Sequence, residues 1–394
     1  MQKKSLIIIS NNNLGPVQSG GDTIYLAFIK HWAKKINIAL WGSQESFNLL
    51  QKNKLKTNFI QSDSINSSYQ PTVLNLLWHS LRRITKGLIS FFKNRSLFKK
   101  SDYCYTVSDF FPDFIFGLLY KLINSHGQWL CGYYLVAPSP KSPDSPYKNQ
   151  IIKNYFYYFS QKITLKLANR YADIILITSL PDKKYFPNKN VIIVQGGVDI
   201  SSSEKYLNSK KIKPIIDRQF DAVFLGRLHP QKGVLELVDI WKLVVNKIPN
   251  AHLALIGDGQ LKNDLINKIK KNKLSKSITL FGFKFGQAKY EIFNNSKIVV
   301  HPSVYDSGGM AAAEAMAWGL PGVSFDLEAL KTYYPKGMLK SPLSNYNHFA
   351  KNIIKLLEDQ KLYNQISSQA LDLIRKTWDW RIRSQNIYKQ IFHD

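Results

Sequence analysis

Short apolar runs alternate with longer amphipathic segments along most of this chain, and the alternation restarts once near its middle. Ser5–Ile9, Asn37–Trp41, Tyr103–Val107, Leu130–Val136, Asp173–Thr178 and Val191–Val194 read as strands of the first half. Helical patterns at Thr23–Lys35 and about 150–171 separate some of them, and the loop Ala137–Pro146, with four prolines in ten residues, is irregular. The polar segment Ser201–Lys213 reads as a linker. Beyond it, strands at Ala222–Leu225, His252–Ile256, Ile278–Phe281 and Ile298–Val300 alternate with helices at Gly233–Lys247, Leu261–Lys271 and Ala288–Asn294. Strand–helix alternation predicts a parallel sheet covered by helices on both faces. Two rounds of it predict two doubly wound α/β domains, residues 1–205 and 206–376. Ligands of such sheets bind beyond the carboxyl ends of the strands, so a cleft between the domains is the expected site.

The stretch His301–Gly322, HPSVYDSGGMAAAEAMAWGLPG, is the densest chemical signal. It follows the strand Ile298–Val300 with a loop carrying Asp306, Gly308 and Gly309, then helix formers from Met310 to Trp318, ended by Gly319 and Pro321. A strand, a glycine turn and a helix start aim backbone N–H groups at an anion. Glu314 lies eight residues after Asp306. A second motif, FLGRLHPQKG at 224–233, ends a strand at Gly226 and carries Arg227 and Lys232 before Gly233 opens a helix. A bidentate guanidinium and a mobile ammonium beside a helix start suit a diphosphate; a surface turn with solvated cations is the alternative.

These two motifs in this order, with the intervening separation, resemble glycosyltransferase family 4. The family consists of retaining enzymes of the GT-B fold: two doubly wound Rossmann-like domains facing across a cleft, with a C-terminal helix crossing back to the first. The resemblance implies a hexose moved from a nucleotide-diphosphate sugar to a glycan or lipid-linked acceptor, with no metal and no cofactor. The family pairs two Glu with seven residues between; here Asp306 takes the first position and Glu314 the second. Carried over, Arg227 and Lys232 hold the diphosphate and, with Asp306, form the catalytic set. Asp306, Ser307 and the N–H groups of Gly308, Gly309 and Met310 hold sugar hydroxyls and the distal phosphate. Glu314 binds the ribose, the backbone at Gly282 and Phe283 flanks the base, and Gly20 and Gly21, in the loop after the first strand, approach the phosphate. Residues 377–394, containing WDWRIRSQNIYKQIF, correspond to the crossing helix. The family's N-domain histidine has no counterpart in WLCGYYLVAP; Tyr133 or Tyr134 falls near its place.

The net charge of +27 implies an anionic partner or a lysine-rich composition bias. Within 71–100 there is no acid, and Leu74, Leu77, Trp78, Leu81, Ile84, Leu88 and Phe92 share one helical face. Arg82, Arg83, Lys86 and Lys93 occupy the adjoining flank, as in a helix lying on an anionic membrane; a packed domain helix is the alternative. The two cysteines, Cys104 and Cys131, match no metal or redox spacing, and no apolar run reaches the length of a membrane span. The expected location is therefore cytoplasmic, peripheral on the inner face of the membrane. Two other classes stay open: a GT-B-like sugar-nucleotide epimerase or hydrolase, and a non-enzymatic polyanion or nucleic-acid binder. No nucleic-acid-binding module motif appears, so nucleic acid is not an expected partner.

Overall fold

Seven parallel strands build the first of two sheets in the computed structural model, which describes residues 3–13, 18–63, 72–142, 151–209, 212–306 and 308–392. They are β1 (Ser5–Ser10), β2 (Asn37–Ser43), β3 (Asn58–Asp63), β4 (Tyr103–Thr106), β5 (Gln128–Gly132), β6 (Ile174–Ile177) and β7 (Asn190–Ile193), in the order β3-β2-β1-β4-β5-β6-β7. The second sheet has six: β8 (Phe220–Leu225), β9 (Leu253–Ile256), β10 (Ile278–Gly282), β11 (Ser296–His301), β12 (Gly322–Phe325) and β13 (Met338–Ser341), in the order β10-β9-β8-β11-β12-β13. All pairings are parallel. The central strands are apolar on both faces because helices cover both; Leu6–Ile9 and Leu253–Ile256 are all buried.

The chain divides into two units, Met1–Gly196 with Arg383–Asp394, and Gly197–Ile382. The expected linker Ser201–Lys213 is instead opened by a helix, Ser201–Leu207, and the division falls at Gly196–Gly197 rather than at 205. Gly197 belongs there for a steric reason: a Cβ would lie 2.6 Å from the Trp380 ring. The last helix, Trp380–Phe392, begins in the second unit and ends in the first. Within the first unit, Trp32 Nε1 donates to Ser384 O (3.0 Å), and the Trp32 ring meets Tyr388 and Phe392 edge-on.

Gly20 and Gly21 lie in a helix, Gly20–Trp32, not in the loop expected for them. Ser19 and Asp22 form a reciprocal capping box that starts the helix three residues before Thr23. β5 stops at Gly132, before the expected end at Val136. The basic segment forms the helices Val73–Lys93 and Arg95–Lys100; Pro71 lies outside the described residues, as do 143–150, which include the end of the proline-rich loop. Arg83 departs from the expected solvated flank. It is 1% exposed, pairs with Glu45 (2.7 Å) and approaches Asp63 (3.7 Å). Its neighbours on the buried side are Gly87, where a Cβ would meet Phe116 and Trp41, and Phe91. The sequence pattern showed cations beside an apolar stripe, but two acids brought over from β3 and the helix Gln44–Lys52 turn one of them inward.

Candidate functional site

In the second unit, β8 and β11 are adjacent, and successive strands run away from them in opposite directions. Loops leaving such a pair at the carboxyl edge splay apart and leave a crevice, the usual ligand position in open α/β sheets. Both sequence motifs leave from this point. After β8 the chain passes Gly226 and Arg227 and makes a tight turn, Pro230–Lys232, before the helix Val234–Lys247. Gly233 caps that helix at φ +62°, and a Cβ there would stand 1.9 Å from Pro302 O. Only glycine permits this approach. Val304 N donates to Gln231 O (3.1 Å), closing the second link between the loops. Gly257 and Gly259, in the turn after β9, are structural, since a Cβ would strike Gly226 O and the Leu228 backbone.

The linked loops bring together side chains 74 positions apart. Lys232 Nζ donates to Asp306 Oδ2 at 2.5 Å, and His301 Nε2 lies 3.0 Å from the same oxygen. The other carboxylate oxygen accepts from Gly308 N (3.2 Å) and Gly309 N (3.0 Å). Burial alone raises the Asp306 pKa, but the Lys232 charge and the His301 contact outweigh it and hold the carboxyl well below its usual range. Gly309 adopts φ +62° ahead of the helix Met310–Met316, and its carbonyl accepts from the buried Tyr334 hydroxyl (2.6 Å). The N–H groups expected to face a ligand at Gly308 and Gly309 are thus turned onto Asp306. Met310 N has no partner among the described residues. Ser307, also expected here, lies outside the described residues.

Arg227 is exposed and has no ion-pair partner among the described residues, so its guanidinium is available to an anion. Glu314 pairs with Lys289, from the helix Gly286–Asn294. Gly282 sits at φ +64° with open space on its Cβ side, and the exposed Phe283 and Phe285 rings pack at 4.2 Å beyond β10. Sequence reading makes His301 the structural end of a buried strand, and it passes over Lys289 and Tyr334. His301 carried a signal, as the polar end of a buried strand five residues before the key acid; Lys289 and Tyr334 carried none.

The first unit has the equivalent crevice between β1 and β4. Gly20 and Gly21 begin the helix after β1, and a Cβ on Gly21 would lie 3.3 Å from Val107 O, just past β4. Asn11 N and Asn12 N donate to Asp113 Oδ1 (2.6 and 2.9 Å), and Ser108 Oγ donates to Oδ2 (2.5 Å). Gln161 Nε2 donates to Asp109 (2.8 Å). Burial pushes both carboxyls up to about 7 despite these donors. Tyr134 shares a hydroxyl contact with Tyr105, whereas Tyr133 is buried and donates to Gln161 O (3.0 Å). Cys104 and Cys131 are buried free thiols. Among the described residues there is no group of three or more His, Cys, Asp or Glu able to hold a metal ion, and no helix long and apolar enough to cross a membrane.

Residues 206–372 match the family described as Glycosyl transferases group 1. The chain is 30% identical over 191 residues to an uncharacterized glycosyltransferase of Methanocaldococcus jannaschii, covering 45% of this chain and 47% of that protein. A poly(ribitol-phosphate) alpha-N-acetylglucosaminyltransferase of Staphylococcus aureus is 24% identical over 55% of this chain and 43% of its own length. The chain thus spans about half the length of these relatives. A UDP-Gal:alpha-D-GlcNAc-diphosphoundecaprenol alpha-1,3-galactosyltransferase of Escherichia coli is 24% identical over 91% of this chain and 90% of its own. Among solved structures, Anabaena HepE in complex with UDP and glucose superposes with a TM-score of 0.71 at 16% identity, covering 99% of this chain and 100% of that one. This superposition identifies the fold as GT-B, the architecture that the resemblance implied.

Proposed function

We propose, because residues 206–372 match the family described as Glycosyl transferases group 1, that this chain is a retaining glycosyltransferase. It moves a hexose from a nucleotide-diphosphate sugar to a glycan or lipid-linked acceptor. The observation that carries the reading is the meeting of Lys232 and Asp306 at the β8–β11 crevice, on the same loop as the exposed Arg227. Similarity to a relative named for a UDP-galactose donor and a diphosphoundecaprenol acceptor supports both substrate classes.

The chemistry follows from charge. As the bond from the sugar's anomeric carbon to the diphosphate breaks, negative charge grows on the leaving phosphate. Arg227 and Lys232 neutralise it, aided by the positive end of the helix that begins just after Lys232. Asp306 aims Lys232 before donor arrives. On binding, Lys232 is shared between carboxylate and phosphate, and sugar hydroxyls take up the amide donors that Asp306 holds. Glu314 releases Lys289 to meet the ribose. The acceptor hydroxyl loses its proton to the leaving phosphate, which requires no metal. Phe283 flanks the base.

An acid-free basic helix, Val73–Lys93, supports a place at the inner face of an anionic cytoplasmic membrane, where a lipid-linked acceptor would be met. Transfer assays test the central reading: Arg227→Ala and Lys232→Ala each lower turnover at least tenfold, about 1.4 kcal/mol in barrier. Unchanged turnover in both variants contradicts it. EDTA leaves transfer intact; loss rescued only by a divalent cation refutes the metal-free mechanism.

A further inference from the structure

The helix Val73–Lys93 is buried along Arg83, Gly87 and Phe91, with Ile84 and Leu88 of the expected apolar face half-buried, but leaves the rest of that face uncovered. Leu74, Leu77, Trp78, Leu81, Ile89 and Phe92 are 44–78% exposed and recur at three- and four-residue spacings along one side. This is the reverse of an ordinary domain helix, whose apolar stripe faces the core. The second 21-residue helix of the first unit, Ile151–Tyr171, repeats the arrangement. Its buried positions are Asn154, Gln161, Thr164 and Ala168, mostly polar, while Ile151, Ile152, Tyr155, Phe159 and Ile163 are 38–75% exposed. Of the twenty-one exposed large hydrophobic side chains among the described residues, eleven lie on these two helices, which touch each other. Concentration on so small a part of the chain marks a partner surface rather than scattered exposure.

Charge decides which partner. Neither helix carries an acid, and beside the apolar side chains stand Arg82, Lys86 and Lys93 on the first and Lys162, Lys166 and Arg170 on the second. On the second helix four of the five exposed apolar residues lie in the first half, and the exposed cations lie in the last. A second copy of this chain would set cation against cation. An anionic lipid surface offers negative headgroups to the flanks and an acyl boundary to the apolar side chains, and the exposed Trp78 and Tyr155 suit the interface between them.

We propose that Ile151–Tyr171 is a second membrane-inserting element, forming with Val73–Lys93 one two-helix face that seats the first unit in an anionic bilayer. This rests on the reading above that the first helix faces lipid, and deepens it: attachment is by insertion of apolar side chains as well as by charge.

The test uses the full chain without donor or acceptor, so its outcome is independent of catalysis. Vesicles of phosphatidylcholine with phosphatidylglycerol, and of phosphatidylcholine alone, are sedimented with wild type, Trp78→Glu/Leu81→Glu and Ile152→Glu/Phe159→Glu. Circular dichroism monitors folding, which exposed substitutions leave intact. Wild type partitions into the anionic vesicles, retains part of its binding at high salt, and loses at least tenfold with either pair of substitutions. Lys162→Glu/Lys166→Glu weakens binding to the anionic vesicles with native circular dichroism. If only the first pair matters, the second helix is not an inserting element, although the first still faces lipid. If neither pair matters, or wild type does not partition, the whole face is refuted. A wild-type dimer in sedimentation equilibrium that Ile152→Glu/Phe159→Glu dissociates would assign the face to a second copy and overturn the proposal.

Discussion

The two crevices of this molecule share a strand order and differ in their electrostatics. At β8–β11 a carboxylate, Asp306, is held well below its usual pKa by Lys232 and His301. At β1–β4 two carboxyls, Asp109 and Asp113, are pushed up to about 7 by burial; hydrogen-bond donors oppose the rise, and the Asp22 carboxylate adds to it at Asp113. One crevice holds an ion pair, Lys232 with Asp306; the other fixes its loops by hydrogen bonds onto its carboxyls. A shared topology therefore sets where a site can lie, and the side chains delivered there decide what it can do.

The contrast predicts opposite responses to substitution. The largest effect is expected from Asp306→Ala, which leaves Lys232 without its counter-charge in a mostly buried place and costs about 3 kcal/mol of stability. Chemical denaturation reads this directly, and a loss below about 1 kcal/mol would mean that the carboxylate is not the anchor of the second unit's site. Gly233→Ala follows at about 2 kcal/mol or more, because it needs a left-handed residue and drives a methyl into Pro302 O. Unaltered stability would break the account of how the two loops meet.

The first unit is predicted to respond to pH instead. A carboxyl raised from its ordinary range to about 7 takes up a proton on folding, so the contribution of Asp113 to stability is fully present below pH 4. It is lost as pH rises to about 7. Thermal unfolding at pH 5 and pH 8 should therefore show less stability at the higher pH, and Asp113→Asn should flatten that difference. An undiminished slope in the variant would mean that Asp113 is ionised throughout. A further contrast separates two neighbours on one helix, one of them with the smallest effect expected. Arg82→Gln is expected to change stability by under about 0.5 kcal/mol, whereas Arg83→Gln, which strips the buried Glu45 of its partner, costs about 3 kcal/mol.

Much of the fold was legible because strand–helix alternation needs only local pattern. The runs at Ser5–Ile9 and Ile298–Val300 matched β1 and β11 because strands covered on both faces stay apolar throughout. β3 (NFIQSD) and β13 (MLKS) were missed because edge strands bury less and carry polar residues. The site's loops were legible from glycine and charge, but not what those charges touch: that Asp306 turns onto Lys232 and its own amides depends on Gly233 letting the loops close to contact. Arg83 makes the same point in the first unit, since a helical wheel sees its own flank and not the acids that another element brings to it.

The most direct measurement is titration calorimetry of a nucleoside diphosphate panel into wild type and Lys232→Ala, with circular dichroism to establish equal folding. At least one nucleoside diphosphate should bind wild type and lose at least tenfold in affinity in the variant, about 1.4 kcal/mol. Equal affinity in the two proteins, or no binding of any nucleoside diphosphate to wild type, would contradict the assignment of the β8–β11 crevice as the donor site.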